Sequence, residues 1–196
     1  MKSCFFIGHR EADELLFPRM ELVIDRLIRE ERVRCFYVGR YGEFDRLAAA
    51  TVKRLRQKYP DITLMLVLPY HPAEQPTEAP EGFDGTYHPD GLENTPRRYA
   101  IVRTNHIMVD NSDWLVCYVR HGASNSRNLL EYAKRQEEKG LIRVVNIGEN
   151  EAVLEPGRNS QYGLNRNRQS EANRNRQQPR LMLDFTVWVL QMNSAP

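Results

Sequence analysis

Short apolar runs alternate with helical patterns over the first three quarters of the chain, and this alternation constrains the fold more than any other feature. The apolar runs cover residues 3–7, 34–38, 62–68, 114–119 and 142–147. The first three end at Gly8, Gly39 and Pro69, residues that terminate strands. The run at 62–68 is continuously apolar, which is typical of a strand covered on both faces of a parallel sheet.

Helical periodicity fills the intervals between these runs. The spacing of apolar residues predicts helices over residues 18–31, 43–58, 97–109 and 125–138. Strands that alternate with helices form parallel sheets with helices on both faces. The sequence therefore predicts an α/β fold, a Rossmann-like three-layer sandwich with a mainly parallel sheet of about five strands.

Composition divides the chain into three parts. Residues 1–150 are predicted to form the folded domain, with a proline-rich irregular insertion at 71–96 that could close over a ligand as a lid. Residues 151–180 are predicted to be a disordered Asn/Arg/Gln-rich linker; within it, 157–180 carry six arginines and one acid. The short apolar segment 181–196 could dock on the domain, add an edge strand or recruit a partner.

The bulk properties exclude several classes of protein. No apolar run reaches the roughly 18 residues that a membrane span needs, and the N-terminus lacks a signal-peptide core. The three cysteines lie singly in predicted strands, and neither they nor the five histidines have the spacing of metal ligands. We therefore expect a cytoplasmic protein with no membrane contact and no metal. The motifs of serine hydrolases, P-loop NTPases and ordinary dehydrogenases are missing.

Ligands of such sheets bind at the carboxyl ends of the strands, where the chain carries suitable loops. Gly8, His9 and Arg10 follow the first strand, and Gly39, Arg40, Gly42 and Asp45 follow the second. The two glycines of the second loop precede a helix whose start favours phosphate. A tight strand-to-helix turn explains them equally well, and Asp45 could simply be a first-turn acid.

The turn after the fourth strand is the other candidate. Ser124, Asn125 and Ser126 can cap a helix or contact a ligand, and capping explains only one of them. Arg127 is unfavourable in a first helical turn, so we expect an anionic partner there. His9 and His121 could meet at this edge as phosphate or base contacts. Arg98 could face the pocket from the preceding helix.

Three separated blocks, in order, resemble the YpsA-like branch of the SLOG (Smf/DprA–LOG) superfamily. They are CFFIGHR, FYVGRYGEFDRLAAATVKRLRQKYPDITLMLVLPY, and RRYAIVRTNHIMVDNSDWLVCYV with GASNSRNLLEYAK, within residues 2–147. The resemblance implies a bacterial, Rossmann-like protein whose pocket accepts a nucleotide, including NAD or ADP-ribose derivatives. The site residues that it implies are Gly8, His9, Arg10, Gly39, Gly42, Asp45, Gly122, Ser124, Asn125 and Ser126.

The resemblance also shows a departure that bears on catalysis. Hydrolases of the LOG type carry a glutamate one helical turn after a threonine; here Ser126 and Leu129 stand at those places, and Glu131 is two residues further on. We therefore expect a sensor-like protein that binds a small nucleotide-derived ligand. The alternatives are a nucleotide N-glycosidic hydrolase that uses Glu43 or Asp45, and a DprA-like DNA-binding module. Nucleic acid is the less favoured partner, and a homo-oligomer is possible.

Overall fold

The structure is a computed structural model that describes residues 1–120 and 124–148. The predictions made for His121, Gly122, the linker 151–180 and the segment 181–196 lie outside the described residues. No helix in the described part of the chain is long and apolar enough to cross a membrane.

Within the described residues, six strands and four helices follow one another in the predicted alternation, except that β4 directly follows β3. The strands are β1 (Lys2–Gly8), β2 (Val33–Val38), β3 (Thr63–Val67), β4 (Gly85–Tyr87), β5 (Trp114–Tyr118) and β6 (Arg143–Asn146). The helices are α1 (Phe17–Arg29), α2 (Glu43–Arg56), α3 (Ala100–Asp110) and α4 (Asn125–Glu138). Short 3-10 turns at Glu14–Leu16 and Arg97–Tyr99 precede α1 and α3.

All neighbouring strands are parallel, in the order β4-β3-β2-β1-β5-β6. Strands β2, β3 and β4 lie to one side of β1, and β5 and β6 lie to the other side. The order therefore reverses between β1 and β5, which is the topological switch point where α/β sheets bind ligands. The predicted α/β, Rossmann-like fold is confirmed.

Two apolar layers, one on each face of the sheet, hold the helices in place. Successive β1 side chains point to opposite faces, so Phe6 packs with α1 and α2, whereas Phe5 packs with α3 and α4. The apolar stripe of α1, which the sequence predicted, is buried against the face of the sheet that carries Phe6. The three cysteines are buried, and none of them forms a disulfide.

The sheet has one strand more than the five predicted. β4 lies inside the insertion 71–96, and its three residues are too few for a periodic pattern. It pairs with β3 at the edge of the sheet, where the Asp84 carboxylate accepts a hydrogen bond from the Leu64 N–H and pairs with Arg56. The insertion is thus partly an edge strand, held by the contacts of Asp84, rather than irregular throughout.

Candidate functional site

A cleft lies at the switch point, between the carboxyl ends of the central strands and the first turns of α3. Its volume is about 160 Å³. The loops after β1, β2 and β3 form one wall, α3 forms the opposite wall, and the start of α4 closes one side. The lining residues are Phe5, Phe6, Ile7, Gly8, Arg10, Gly39, Tyr41, Gly42, Asp45, Val67, Pro69, Ile101, Thr104, Asn105 and Asn125.

The loop after β1 is fixed to both neighbouring loops. Gly8 lies against the buried Phe44 ring so closely that a Cβ at position 8 would be 2.4 Å from the ring. His9 Nε2 accepts a hydrogen bond from the Arg120 N–H at 3.1 Å, and the His9 N–H donates to the Tyr118 carbonyl. His9, expected to contact the ligand, thus joins the β1 and β5 loops. Arg10 lines the cleft and is exposed.

The two glycines after β2 make room for the protein's own atoms. A Cβ on Gly42 would be 2.8 Å from the Arg10 Cα, and one on Gly39 would be 2.8 Å from Asp45 Oδ2. Neither glycine has a positive φ. Of the two explanations open from the sequence, close packing within the turn accounts for both glycines without a ligand.

Asp45 is the one acidic side chain among the described residues that line the cleft. Its Oδ2 accepts a hydrogen bond from the Tyr41 N–H at 2.9 Å. Burial raises the pKa of Asp45 to about 6, and the Tyr41 hydrogen bond opposes that rise only in part. A perturbed carboxyl in a cleft is a physical mark of a functional site.

Two other polar residues of the β2–α2 turn lie outside the cleft. Glu43, the other candidate acid, forms an ion pair with Arg46 at 2.7 Å, and Arg46 also pairs with Glu14. Arg40 is exposed, with its guanidinium 6.0 Å from the centre of the Tyr41 ring. Both residues line a surface groove that adjoins the cleft at Tyr41.

The three polar residues at the start of α4, which the sequence could not tell apart, have different roles in the structure. Ser124 caps the helix, since its Oγ accepts a hydrogen bond from the Arg127 N–H. Ser126 Oγ donates to the Gly8 carbonyl at 3.0 Å and so ties α4 to β1. Asn125 is exposed and lines the cleft. Two of the three polar side chains are structural, and Asn125 remains for a ligand.

Arg127 and Glu131 pair along α4, with Arg127 Nε 3.3 Å from Glu131 Oε1. This ion pair gives Arg127 an anionic partner one helical turn away. Leu129, at the place where the LOG-type hydrolases carry glutamate, is buried in the core beneath α4. A glutamate at position 129 would therefore enter an apolar layer of this protein.

Helix α3 supplies three lining residues that the sequence analysis missed: Ile101, Thr104 and Asn105. Thr104 is 2% exposed and lies on the buried stripe of the helix with Ala100 and Ile107. A polar residue within an apolar stripe was the available signal. The predicted Arg98 lies on the exposed turn before α3, with its guanidinium over the Tyr99 ring.

The insertion forms a second, more open groove of about 750 Å³ beside the cleft, which it meets at Pro69. His71 and His88 both line it and are in edge-to-face contact, with ring centres 5.3 Å apart. The Arg97 guanidinium stacks on the Tyr70 ring at its rim. No group of three or more potential metal-binding side chains occurs among residues 1–120 and 124–148.

Comparison with known proteins assigns no family. No protein-family model matches the chain, and no curated protein matches it. The chemistry of the cleft is therefore the basis for assigning a function.

Proposed function

We propose that this protein binds a nucleotide or a nucleotide-derived ligand, of the AMP, NAD or ADP-ribose type, in the cleft at the switch point. One observation carries the proposal: a half-buried carboxylate, Asp45, and the acid-free first turn of α4 border the same cleft. A carboxylate accepts hydrogen bonds from ribose hydroxyls, and a helix start favours phosphate. The resemblance to the YpsA-like proteins supports the same ligand class.

The two helix starts at this edge differ in their suitability for phosphate. The first turn of α2 carries Glu43 and Asp45, whose negative charges already occupy the positive end of the helix dipole. The first turn of α4 carries no acid, and Asn125 at its start lines the cleft. Arg10 lines the same cleft. The phosphate is therefore assigned to α4, and not to the glycine turn before α2.

Ligand binding and its orientation are tested together by thermal denaturation with AMP, ADP, NAD, ADP-ribose and ribose 5-phosphate. A ligand at about 100 times its Kd stabilises the folded protein by about 2.7 kcal/mol. Asn125→Asp places a negative charge at the α4 start, so we expect at least ~10-fold weaker binding. The same charge stabilises the free helix by about 0.5 kcal/mol, so lost binding cannot be ascribed to misfolding.

Glu43→Gln is the matched variant on α2. Its carboxylate is paired with Arg46, so we expect affinity to change by no more than about 2-fold. Tighter binding by Glu43→Gln with unchanged binding by Asn125→Asp would move the phosphate to α2. Lack of stabilisation by all five compounds would refute nucleotide binding.

A second candidate function, hydrolysis of a nucleotide N-glycosidic bond, is favoured by the pKa of Asp45. A carboxyl with a pKa of about 6 can exchange a proton near neutral pH, as a general base must. Asp45 would take a proton from water as the water oxygen joins C1 of ribose. The nucleobase would leave with the electron pair of the broken C–N bond and would acquire the proton that Asp45 had taken from water.

Turnover is measured as release of free base and ribose 5-phosphate from AMP, with Asp45→Asn beside the wild type. Hydrolysis by the wild type that is abolished in Asp45→Asn would establish the enzyme. Binding of AMP without release of base would exclude hydrolysis of AMP, and the sensor-like binding function would be the one that remains.

A further inference from the structure

Thr104 has a buried hydroxyl that forms no hydrogen bond with the described residues. It lies on the inner face of α3, is 2% exposed, and lines the cleft. A buried hydroxyl without a partner is unfavourable, so its place beside a cavity requires an explanation.

Two other buried hydroxyls show what is unusual about Thr104. Thr51, which is buried in α2, donates its Oγ1 proton to the Leu47 carbonyl at 2.7 Å. This bond to the residue four positions earlier is the ordinary solution for a helical threonine. Ser112 also lacks a partner among the described residues, but it lies two residues before β5, at the amino ends of the strands and away from the cleft. Thr104 alone of the three lines the cleft.

The walls around Thr104 suit a flat aromatic ring. Phe5, Ile7, Val67 and Ile101 form an apolar surface there. The cleft of about 160 Å³ has room for one such ring, since apolar cavities of about 150 Å³ accept one benzene molecule; the ribose and phosphate then lie at its open side. An apolar slot with a hydroxyl in its wall matches a ring with a polar edge.

We propose that the nucleobase of the ligand enters the slot beneath α3 and that Thr104 Oγ1 forms a hydrogen bond to its edge. This inference rests on the proposed nucleotide binding and assigns the base to one place within it. Thr104 Oγ1 is buried from solvent beside the cleft, and it reaches the base after rotation about χ1, since threonine in helices uses two rotamers. Thr104 is then a specificity-determining residue, because a site built to bond a polar group rejects analogues that lack that group.

The test compares binding of AMP, GMP, CMP and UMP with binding of ribose 5-phosphate, by titration calorimetry on the full chain. At least one nucleotide should bind ~10-fold or more tightly than ribose 5-phosphate. Thr104→Val keeps the shape and removes the hydroxyl, so affinity for that nucleotide should fall by about 10-fold. Affinity for ribose 5-phosphate should not change. The melting temperature of the free variant should stay the same or rise, because an unpaired buried hydroxyl has been removed.

Three variants serve as controls. Thr104→Ser keeps the hydroxyl and should restore nucleotide binding. Thr51→Val removes a satisfied hydroxyl away from the cleft, and Ser112→Ala removes an unpartnered one; both should leave every affinity unchanged.

The possible failures are separable. If nucleotides bind but Thr104→Val binds them as tightly as the wild type, or weakens ribose 5-phosphate equally, the base assignment is wrong and nucleotide binding stands. If ribose 5-phosphate binds as tightly as all four nucleotides, the base assignment is wrong even when Thr104→Val fails to fold. If none of the five compounds binds, and ADP, NAD and ADP-ribose fail as well, the proposed function itself is wrong.

Discussion

The turns that lead into α2 and α4 occupy the same edge of the sheet and differ in what they leave for a ligand. Both begin with an N-cap in extended backbone, Gly42 and Ser124. Gly42 makes no side-chain cap, whereas the Ser124 hydroxyl accepts a bond from the helix. The first turn of α2 carries two acids and that of α4 carries none.

This difference indicates which of the two turns packs within the protein and which has a side chain left for a ligand. In the glycine-rich turn before α2, the Glu43 N–H donates to the Arg10 carbonyl and the Tyr41 N–H donates to Asp45, so the backbone donors are used within the protein. The less conspicuous turn before α4 leaves Asn125 at the cleft. A glycine motif in a sequence can therefore mark where the chain packs on itself, while the plain polar turn is the one that, under the proposed function, faces the ligand.

The largest effect is expected from Gly42→Ala. The new Cβ would be 2.8 Å from the Arg10 Cα, a backbone atom that can move only with the whole β1 loop. We expect a loss of about 2–3 kcal/mol in the free energy of unfolding, measured by urea denaturation. The displaced β1 loop should also weaken ligand binding.

Gly85→Ala in β4 is the matched control for that substitution. Its Cβ would meet only the Met65 Cε, at 3.2 Å, the end of a flexible side chain. Stability should therefore change by less than about 1 kcal/mol. Equal stability of Gly42→Ala and the wild type would show that the β2–α2 turn is not closely packed.

Asp45→Asn should alter how stability depends on pH. The pKa of Asp45 is about 6 in the folded protein and about 3.9 in the unfolded chain. The folded state therefore holds the extra proton between these values, and wild-type stability falls as pH rises through them. At pH 7.5 the variant, which does not titrate, should be about 1–2 kcal/mol more stable than the wild type. The gap should close near pH 4.

Asp25→Asn is the matched comparison, because the pKa of Asp25 is shifted in the opposite direction from that of Asp45. Burial acts to raise the pKa of Asp25, but hydrogen bonds from Lys58, Tyr59 and Arg29 outweigh it and lower that pKa. Its contribution is therefore present at neutral pH and lost as pH falls. Asp25→Asn should be less stable than the wild type at pH 7.5 and equal to it in acid. A pH-independent gain for Asp45→Asn would show that burial does not strain its carboxylate.

The sequence predicted the layers of the fold because apolar runs in parallel strands are buried on both faces, as the opposed Phe5 and Phe6 show. It missed β4, since three edge residues have no period and depend on Asp84 for their position. The helix expected from residue 97 begins at Ala100, after a 3-10 turn that follows Pro96. Each of these errors lies where tertiary contacts, rather than local pattern, fix the backbone.

The site was predicted in outline, because strands that run in parallel bring their carboxyl ends to one edge. The role of each residue was not predictable: Gly39 packs against Asp45 of its own turn, whereas His9 and Ser126 bond to the backbone of Arg120 and Gly8. Thr104 reaches the cleft only because α3 packs across β1 and β3 from far along the chain. No local pattern contains that information.

The smallest effects are expected from the two serines before and within α4. Ser124→Ala removes the cap and should cost about 1 kcal/mol in unfolding free energy. Ser126→Ala removes the bond to the Gly8 carbonyl and should cost about 0.5–1 kcal/mol. Both should keep affinity for AMP within about 3-fold of the wild type, as calorimetry can measure, because structural serines act on the ligand only through the fold. A loss of AMP affinity larger than the loss of stability would make that serine a ligand contact, and the α4 turn would then recognise the ligand with more than Asn125.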